Sequence, residues 1–544
     1  MSSASLVTLL TTGAAFAQPI SQTEVRGTNS DDTIAVSAID LILIGDEDVR
    51  ATGVNARGGD DMVQVDDFLS VRADAFKFGI DVLTIDIAEP AELVNAVSTG
   101  IVGGSGNDVL STGGGNIGAT STGGLIDFNI IDGLGDTANL GMQFRSSAIG
   151  LNGGSGSDTL TNTGDFNINA ISLGTQSNIN LGGLDLIDFS SNLTTHATAR
   201  GLVGGSGENT FTSTGLLSVG ALSSIDLDNT DIGVLSISTG TGNLNSSARA
   251  TGVQGGANRD VINSSGGMDI ASLAAIDQVD FTFSFSDISD YSSAGIANAT
   301  STGFQTGSGD DLVVLSDGEH RVRSEIDLDS TSVSFAAVGL NGRENTFSGT
   351  ARSTGISSGD GIDEIQILSA PSLASAEEGV FELDVSANAD RTVFGLAVTA
   401  LDLGPTATYD PEADARDGSK NKSEIKAIAS GVSAGNGADL IDLQGDVRAS
   451  ASSSVKSTGI SMTIEAAPVN PWQDNQVDVD MISIARSDGV IAGAGEDTIS
   501  VFGDLNSFSA ASSQNSVSSV SFPVDIPIPL VGAAGAASVC LSAG

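Results

Sequence analysis

The chain has 544 residues and a formal charge of −47, with 68 Asp and Glu against 21 Lys and Arg. That balance argues against nucleic acid as a partner, because phosphate contacts need clustered cations; cations, basic surfaces and water suit such a surface. An apolar content of 40% is too high for a wholly disordered acidic chain, and the single cysteine, Cys540, excludes internal disulfides and cysteine-rich zinc sites.

In chain order, Leu6 opens an apolar run that ends in Ala15-Phe16-Ala17 before Gln18. The small-x-small ending reads as a secretion signal over residues 1–17. No Lys or Arg precedes Arg26, so the basic start of such a signal would lie upstream of Met1; a disordered leader is the alternative. Residues 18–60 read as an N-terminal cap or half-rung, in which Gly27 to Asp32 is followed by Ile34 and Val36.

Along the array over residues 61–544 a Gly-U-x-x-Gly-x-Gly-x-Asp unit, with U apolar, recurs nine times, counting the turn from Gly53 that closes at Asp61. Arg57 and Asn258 each stand at one glycine place and Asn209 at the aspartate place. The unit closes at Asp61, Asp108, Asp158, Asn209, Asp260, Asp311, Asp363, Asp439 and Asp497. A glycine stands eight residues before each, from Gly53 and Gly100 to Gly431 and Gly489, and an apolar residue always follows it. The steps between closing residues are 47, 50, 51, 51, 51, 52, 76 and 58. A turn repeated at a near-fixed step means a repeat architecture, in which each unit is covered by its neighbours. Between turns the pattern has period two. Leu160, Phe166, Ile168 and Ala170 share one face, while Thr159, Thr161, Asn167 and Asn169 share the other. The expectation is an all-β, elongated parallel β-solenoid with rungs of about 50 residues, flat and broad, wound right-handed.

Irregularities in the spacing predict loops. Insertions are expected at 404–428, holding Tyr409 and the lysines Lys420, Lys422 and Lys426, and at 468–478, holding Trp472. Asn341 to Asn345 reads as an imperfect extra turn. In the register of the repeat, Leu541 and Gly544 begin a further turn that the chain does not finish, which predicts a longer array. No apolar run is long enough for a membrane helix.

The turns carry the chemistry. Glycines allow tight turns that aim carbonyl oxygens inward, and an aspartate adds a hard charged ligand, which suits Ca²⁺. Such turns also close without metal, through Asp side chains accepting from nearby amides. Carboxylates stacked at about 4.8 Å repel one another unless they are screened, hydrated or bridged by cations.

Gly103-Gly104-Ser105-Gly106-Asn107-Asp108-Val109-Leu110 resembles the Gly-Gly-x-Gly-x-Asp-x-U-x nonapeptide of the RTX, or hemolysin-type, calcium-binding repeats. Gly153 to Leu160 and Gly204 to Phe211 do too, the last with Asn209 at the aspartate place. In that family stacked turns share ions, which implies a calcium ladder through Asp108, Asp158, Asn209 and Asp260, and by extension through the other closing residues. RTX units run in tandem every nine residues, whereas these stand about fifty apart, so the resemblance covers the turns and not the coil. As a whole the pattern is similar to bacterial β-strand-repeat surface proteins. The implied role is a secreted or cell-surface structural and adhesive protein with Ca²⁺-stabilised turns, in the company of divalent cations, extracellular matrix or polysaccharide. The alternatives are a polysaccharide lyase or epimerase, drawing on His196, His320, Tyr291, Tyr409, Lys420 or Trp472, and a metal-free passive spacer. Threonine rows at Thr159, Thr161 and Thr163 and at Thr210, Thr212 and Thr214 are not sustained along the array, so an ice-binding face is not expected.

Overall fold

In a computed structural model the described residues are 20–82, 92–129, 134–316, 318–368, 380–399, 421–465 and 479–523. Among them every named element is a strand, and every named strand pairing is parallel, with the equivalent residues of the next rung. This is the parallel β-solenoid that the repeat predicts. A representative coil has a four-residue strand, Thr159–Asn162, a short turn, and one extended run, Phe166–Ser206. The next coils repeat this with Thr210–Ser213 and Leu217–Ala257, then Val261–Ser264 and Met268–Ser308.

Each long run doubles back on itself. Ser172 on the outgoing part meets Ser146, on the returning part of the coil before, at 2.8 Å between hydroxyl oxygens; Ser223 meets Ser246 at 2.9 Å. The coil is therefore flat: an outgoing and a returning strand face each other, and the short strand closes one end. The interior follows from the period-two pattern. Phe166, Ile168 and Ala170 point inward and are fully buried, stacked rung to rung on Leu217, Val219 and Ala221. On the short strand the inward column runs Leu110, Leu160, Phe211, Ile262, Val313, Ile365 and Ile441, all buried.

The invariant Gly-U pair has a structural explanation. Ser146, Ala148 and Gly150 face inward, and Leu151 directly after Gly150 is inward as well. The alternation flips there, and the glycine residue is left out of the regular pairing on both sides of the step. The pair is a corner that turns the returning strand toward the short strand, and Leu151 fills the angle.

Within the apolar interior runs a polar seam. Ser121, Ser146 and Ser172 exchange hydroxyl hydrogen bonds, as do Ser272, Ser301 and Ser324, while Thr195, Ser223 and Ser246 form an equivalent cluster. Farther from the glycine-aspartate end, Asn178 donates to Asn229 and Asn229 to Asp280, each at 2.7 Å. Gln278 completes the second oxygen of Asp280 at 2.8 Å. These groups are buried or half-buried but satisfied, which is the condition for tolerating them.

Within residues 18–60, read from the sequence as an N-terminal cap or half-rung, Ile20–Arg26 pairs in parallel with Val49–Asn55. Asn341 to Asn345 do not form an extra turn; they continue the strand His320–Asp360 and pair with Ser289 to Ser293. The surplus of the 76-residue step is split. Part enters between Ile367 and Val380 and part between Thr399 and Asn421, and Lys422 and Lys426 belong to the strand Asn421–Ser433. The centres of the expected insertions, 404–420 and 468–478, lie outside the described residues, as does the expected signal.

The last described rung shows what stacking contributes. Ile499, Val501 and Leu505 occupy the columns of Ile441, Leu443 and Val447, which are buried, yet they are 46%, 43% and 42% exposed. A rung is buried only when both neighbours cover it.

The turn glycines give the first test. Gly156 has φ +128°, and a Cβ there would fall on the carbonyl oxygen of Gly106 in the preceding rung. Gly118 lies in ordinary strand geometry, with only Cγ of Arg72 nearby at 3.7 Å. Gly156→Ala is expected to cost more than about 2 kcal/mol, combining left-handed strain with a backbone clash, and Gly118→Ala less than about 0.5 kcal/mol. Urea denaturation of both variants measures the difference.

Candidate functional site: the aspartate ladder

The closing residues stack. Asp61, Asp108, Asp158, Asn209, Asp260, Asp311, Asp363 and Asp439 are 0–2% exposed, so these side chains point into the coil at the corner before the short strand. Each backbone N–H donates to Oδ1 of the closing residue one rung on. Asp61 donates to Asp108 at 2.9 Å, Asp108 to Asp158 at 2.8 Å and Asp158 to Asn209 at 3.1 Å. Asn209 donates to Asp260 at 2.9 Å and Asp260 to Asp311 at 2.7 Å. Asp311 to Asp363, Asp363 to Asp439 and Asp439 to Asp497 complete the run at 3.0, 2.9 and 3.1 Å. The bonds cross the 76-residue step without interruption. Asp32, which the sequence pattern assigns to the cap, heads the ladder and donates to Asp61 at 2.7 Å. A signal for it is present: Gly27 stands five residues before it, as Gly103, Gly153, Gly204 and Gly255 stand before their closing residues.

Local packing explains why that glycine recurs. A Cβ on Gly153 would collide with Oδ2 of Asp158, and one on Gly103 with Oδ2 of Asp108. The carboxylate folds back over the glycine and occupies the space a side chain would take. At Asp260 this brings Oδ2 within 2.8 Å of the Gly256 amide, which donates to it. Before Asp311 and Asp363 the place is taken by Thr306 and Ser358, whose hydroxyls donate to the Ser358 and Ala434 carbonyls of the next rung at 2.8 and 3.0 Å.

Elsewhere the second oxygen is an orphan. Oδ2 of Asp61, Asp108, Asp158, Asp311, Asp363 and Asp439 is buried with no hydrogen-bond partner among the described residues. At Asp311 and Asp363 the nearby Thr306 and Ser358 hydroxyls, though committed to carbonyls of the next rung, partly offset the cost of burial. A buried carboxylate with one unsatisfied oxygen is costly when charged, and charge of the same sign recurs at every rung but one. Burial accordingly raises Asp158, Asp260 and Asp363 to about 6, against the lowering effect of the amide donated by the preceding rung. Asp61, Asp108, Asp311 and Asp439 are raised for the same first reason, and neighbouring aspartates add to it at each. Asn209 is the neutral member. Its Oδ1 accepts from Asp158, and its Nδ2 donates to Oδ1 of Asp260 at 3.0 Å and to the Gly207 carbonyl at 3.2 Å.

This arrangement can do two things chemically. The orphan oxygens can take up protons, or they can offer hard oxygen donors to a cation, since Ca²⁺ favours oxygen ligands. Among the described residues no group of three or more His, Cys, Asp or Glu converges, so further ligands would be backbone carbonyls, amide or hydroxyl side chains, or water.

Of the residues considered for catalysis, the two described side chains, His196 and His320, are not brought together. His320 is buried against Phe304, with ring centroids 5.8 Å apart. His196 is exposed on the outer face of the returning strand. Tyr409, Lys420 and Trp472 lie outside the described residues, and nothing is described of the Tyr291 side chain. The threonine rows end as expected, Thr210 and Thr212 giving way to Val261 and Asn263 on the next rung. Compared with known proteins, the chain matches no family model, no curated protein and no solved structure. Among the described residues no helix is long and apolar enough to cross a membrane.

The ladder generates a second test. Folded pKa values above the ordinary aspartate value of about 3.9 mean that the native state holds protons more tightly than the unfolded chain. That stabilisation is complete below about pH 4 and is lost as pH rises through about 6. In chelator, the wild-type melting temperature should fall across this window. The triple variant Asp158→Asn, Asp260→Asn, Asp363→Asn should flatten the slope while keeping the Oδ1 acceptors, as Asn209 does. Asp158→Ala leaves the Asp108 amide without its acceptor and should cost roughly 1–3 kcal/mol. Calorimetric melting at a series of pH values reads all three.

Proposed function

We propose that this chain is a secreted or cell-surface structural and adhesive repeat protein, a stiff spacer whose aspartate edge is neutralised by Ca²⁺. The observation that supports this reading most is the row of buried Oδ2 atoms without partners, repeated rung after rung along one edge. At neutral pH these atoms need a proton or a cation. Outside the cell, millimolar calcium supplies the cation, with carbonyls of the glycine turns as additional ligands. Binding to the folded ladder alone would couple folding to export by mass action. The product is a long acidic slab with parallel pairing throughout, suited to holding other components apart or to presenting a repetitive face to matrix or polysaccharide.

The passive spacer is the second reading, and a specific observation favours it: the unbroken N–H to Oδ1 ladder closes each turn without any metal. One titration separates the two. At pH 7.5, Ca²⁺ added to chelated protein should release heat in calorimetry and raise the melting temperature by several degrees; at pH 5, where the ladder is more protonated, the shift should shrink. An unchanged melting temperature at pH 7.5 would leave the metal-free spacer standing.

A further inference from the structure

Along the middle rungs the two broad outer faces of the coil carry opposite charge. In the five successive returning segments 141–149, 192–200, 243–251, 294–302 and 346–354 there is no Asp or Glu, in a chain that has 68 of them. Their outward positions carry Arg145, His196, Arg200, Arg249 and Arg352. The register keeps them on one face: Arg145 is level with His196, Thr198 with Arg249, and Thr300 with Arg352. No ion pair among the described residues involves these four arginines. Arg145, Arg200 and Arg249 instead lie close enough to His196 or to one another to repel. His196 is lowered by partial desolvation and by Arg145 and Arg249, and Arg200 by burial and Arg249.

The outgoing strands point their outer face the other way. There Asp226, Asp277 and Asp329 stack in register on three consecutive rungs, all exposed, with Asp228 beside the first. Burial and neighbouring aspartates raise Asp226 and Asp277. The arginines of the same strands, Arg321 and Arg323, are paired with Glu319 and Asp269. The acidic column recurs at each of its three rungs, about 4.8 Å apart, while the basic residues are spread over three rows of neighbouring rungs: Arg145 with His196, Arg249 with Arg352 two rungs on, and Arg200. An acidic column of one molecule can therefore lie along a basic patch of another over several rungs.

We infer that the basic face of one copy docks on the acidic face of a second copy, laminating the slabs into an open stack. The occupant is a second copy because a patch of complementary charge, extending over several of the same rungs, stands on the opposite face of the same chain. The faces are not back to back. Ser223 meets Ser246 across the interior; Asp226 lies three residues from Ser223 away from the glycine-aspartate edge, and Arg249 three residues from Ser246 toward it. The offset is about six residues, or roughly 20 Å, so each added copy steps sideways. A heterologous contact of this kind does not close on itself and extends into a layer or fibre. This goes beyond the spacer reading and does not depend on calcium.

Sedimentation velocity of the full chain in chelator tests it. At about 50 mM salt the wild type should form concentration-dependent oligomers that dissolve at about 500 mM, where charges are screened within a few ångströms. Arg145→Glu, Arg200→Glu, Arg249→Glu makes both faces acidic; Asp226→Lys, Asp277→Lys, Asp329→Lys makes both basic. Each variant alone should remain monomeric, with unchanged circular dichroism, and an equimolar mixture should assemble again. A wild type that stays monomeric at low salt, or variants that assemble like it, would overturn the inference. So would a monomeric wild type that binds polyuronate through the arginines, which would assign the face to an anionic polymer.

Discussion

Parallel register between rungs is the constraint on which everything else rests. Because each residue hydrogen-bonds the residue one repeat away, the same position recurs every ~4.8 Å along the coil, and whatever stands there is multiplied into a column. For Leu160 and Phe211 multiplication is favourable, since each apolar side chain is covered above and below. For charged residues it concentrates repulsion. The fold therefore has to place every charged column where a donor, a counterion, water or another molecule can meet it.

One buried carboxylate and two carboxylate columns meet that demand differently. Inside, Asp280 is held by amide donors from Asn229 and Gln278, so both of its oxygens are satisfied. At the edge, the closing aspartates satisfy one oxygen through the backbone of the preceding rung and, except at Asp260, leave the other bare. On the outer face, Asp226, Asp277 and Asp329 stand in solvent, where screening is effective. The ladder is the strained case, and the asparagine at position 209 shows that its hydrogen-bond role and its charge are separable. One amide there gives up a charge, keeps the acceptor and adds two donated bonds to its neighbours.

The seam of serines carries a related lesson. A flat coil brings the outgoing and returning strands close together, and small hydroxyl side chains such as Ser172 and Ser246 fit where a larger apolar group would force the layers apart. Their hydrogen bonds run between layers as well as between rungs, for example from the Ser172 hydroxyl to the His196 carbonyl at 2.7 Å. Such bonds depend on both layers being present, so they favour the doubled-back coil over alternatives in which the strands simply extend.

By itself the sequence determined the solenoid, its repeat of about fifty residues, the inward face of each strand and the stacking of the closing residues. Those features are periodic, and periodicity is written directly in residue order: a glycine and an apolar residue at fixed offsets from Asp108, Asp158 and Asp260 leave one register. Asp32 escapes sequence reading because a single turn with short spacing looks like an end. Asn341 to Asn345 mislead because glycine beside polar residues reads as a turn when nothing indicates that a paired strand runs on either side. Tertiary structure alone decided that the aspartates point inward with one oxygen bonded, that serines meet across the interior, and that arginines and aspartates collect on opposite faces. Each of these depends on where the run folds back, and the residues that set that fold-back carry no short-range signature; only contact between the two layers fixes which outer face is which.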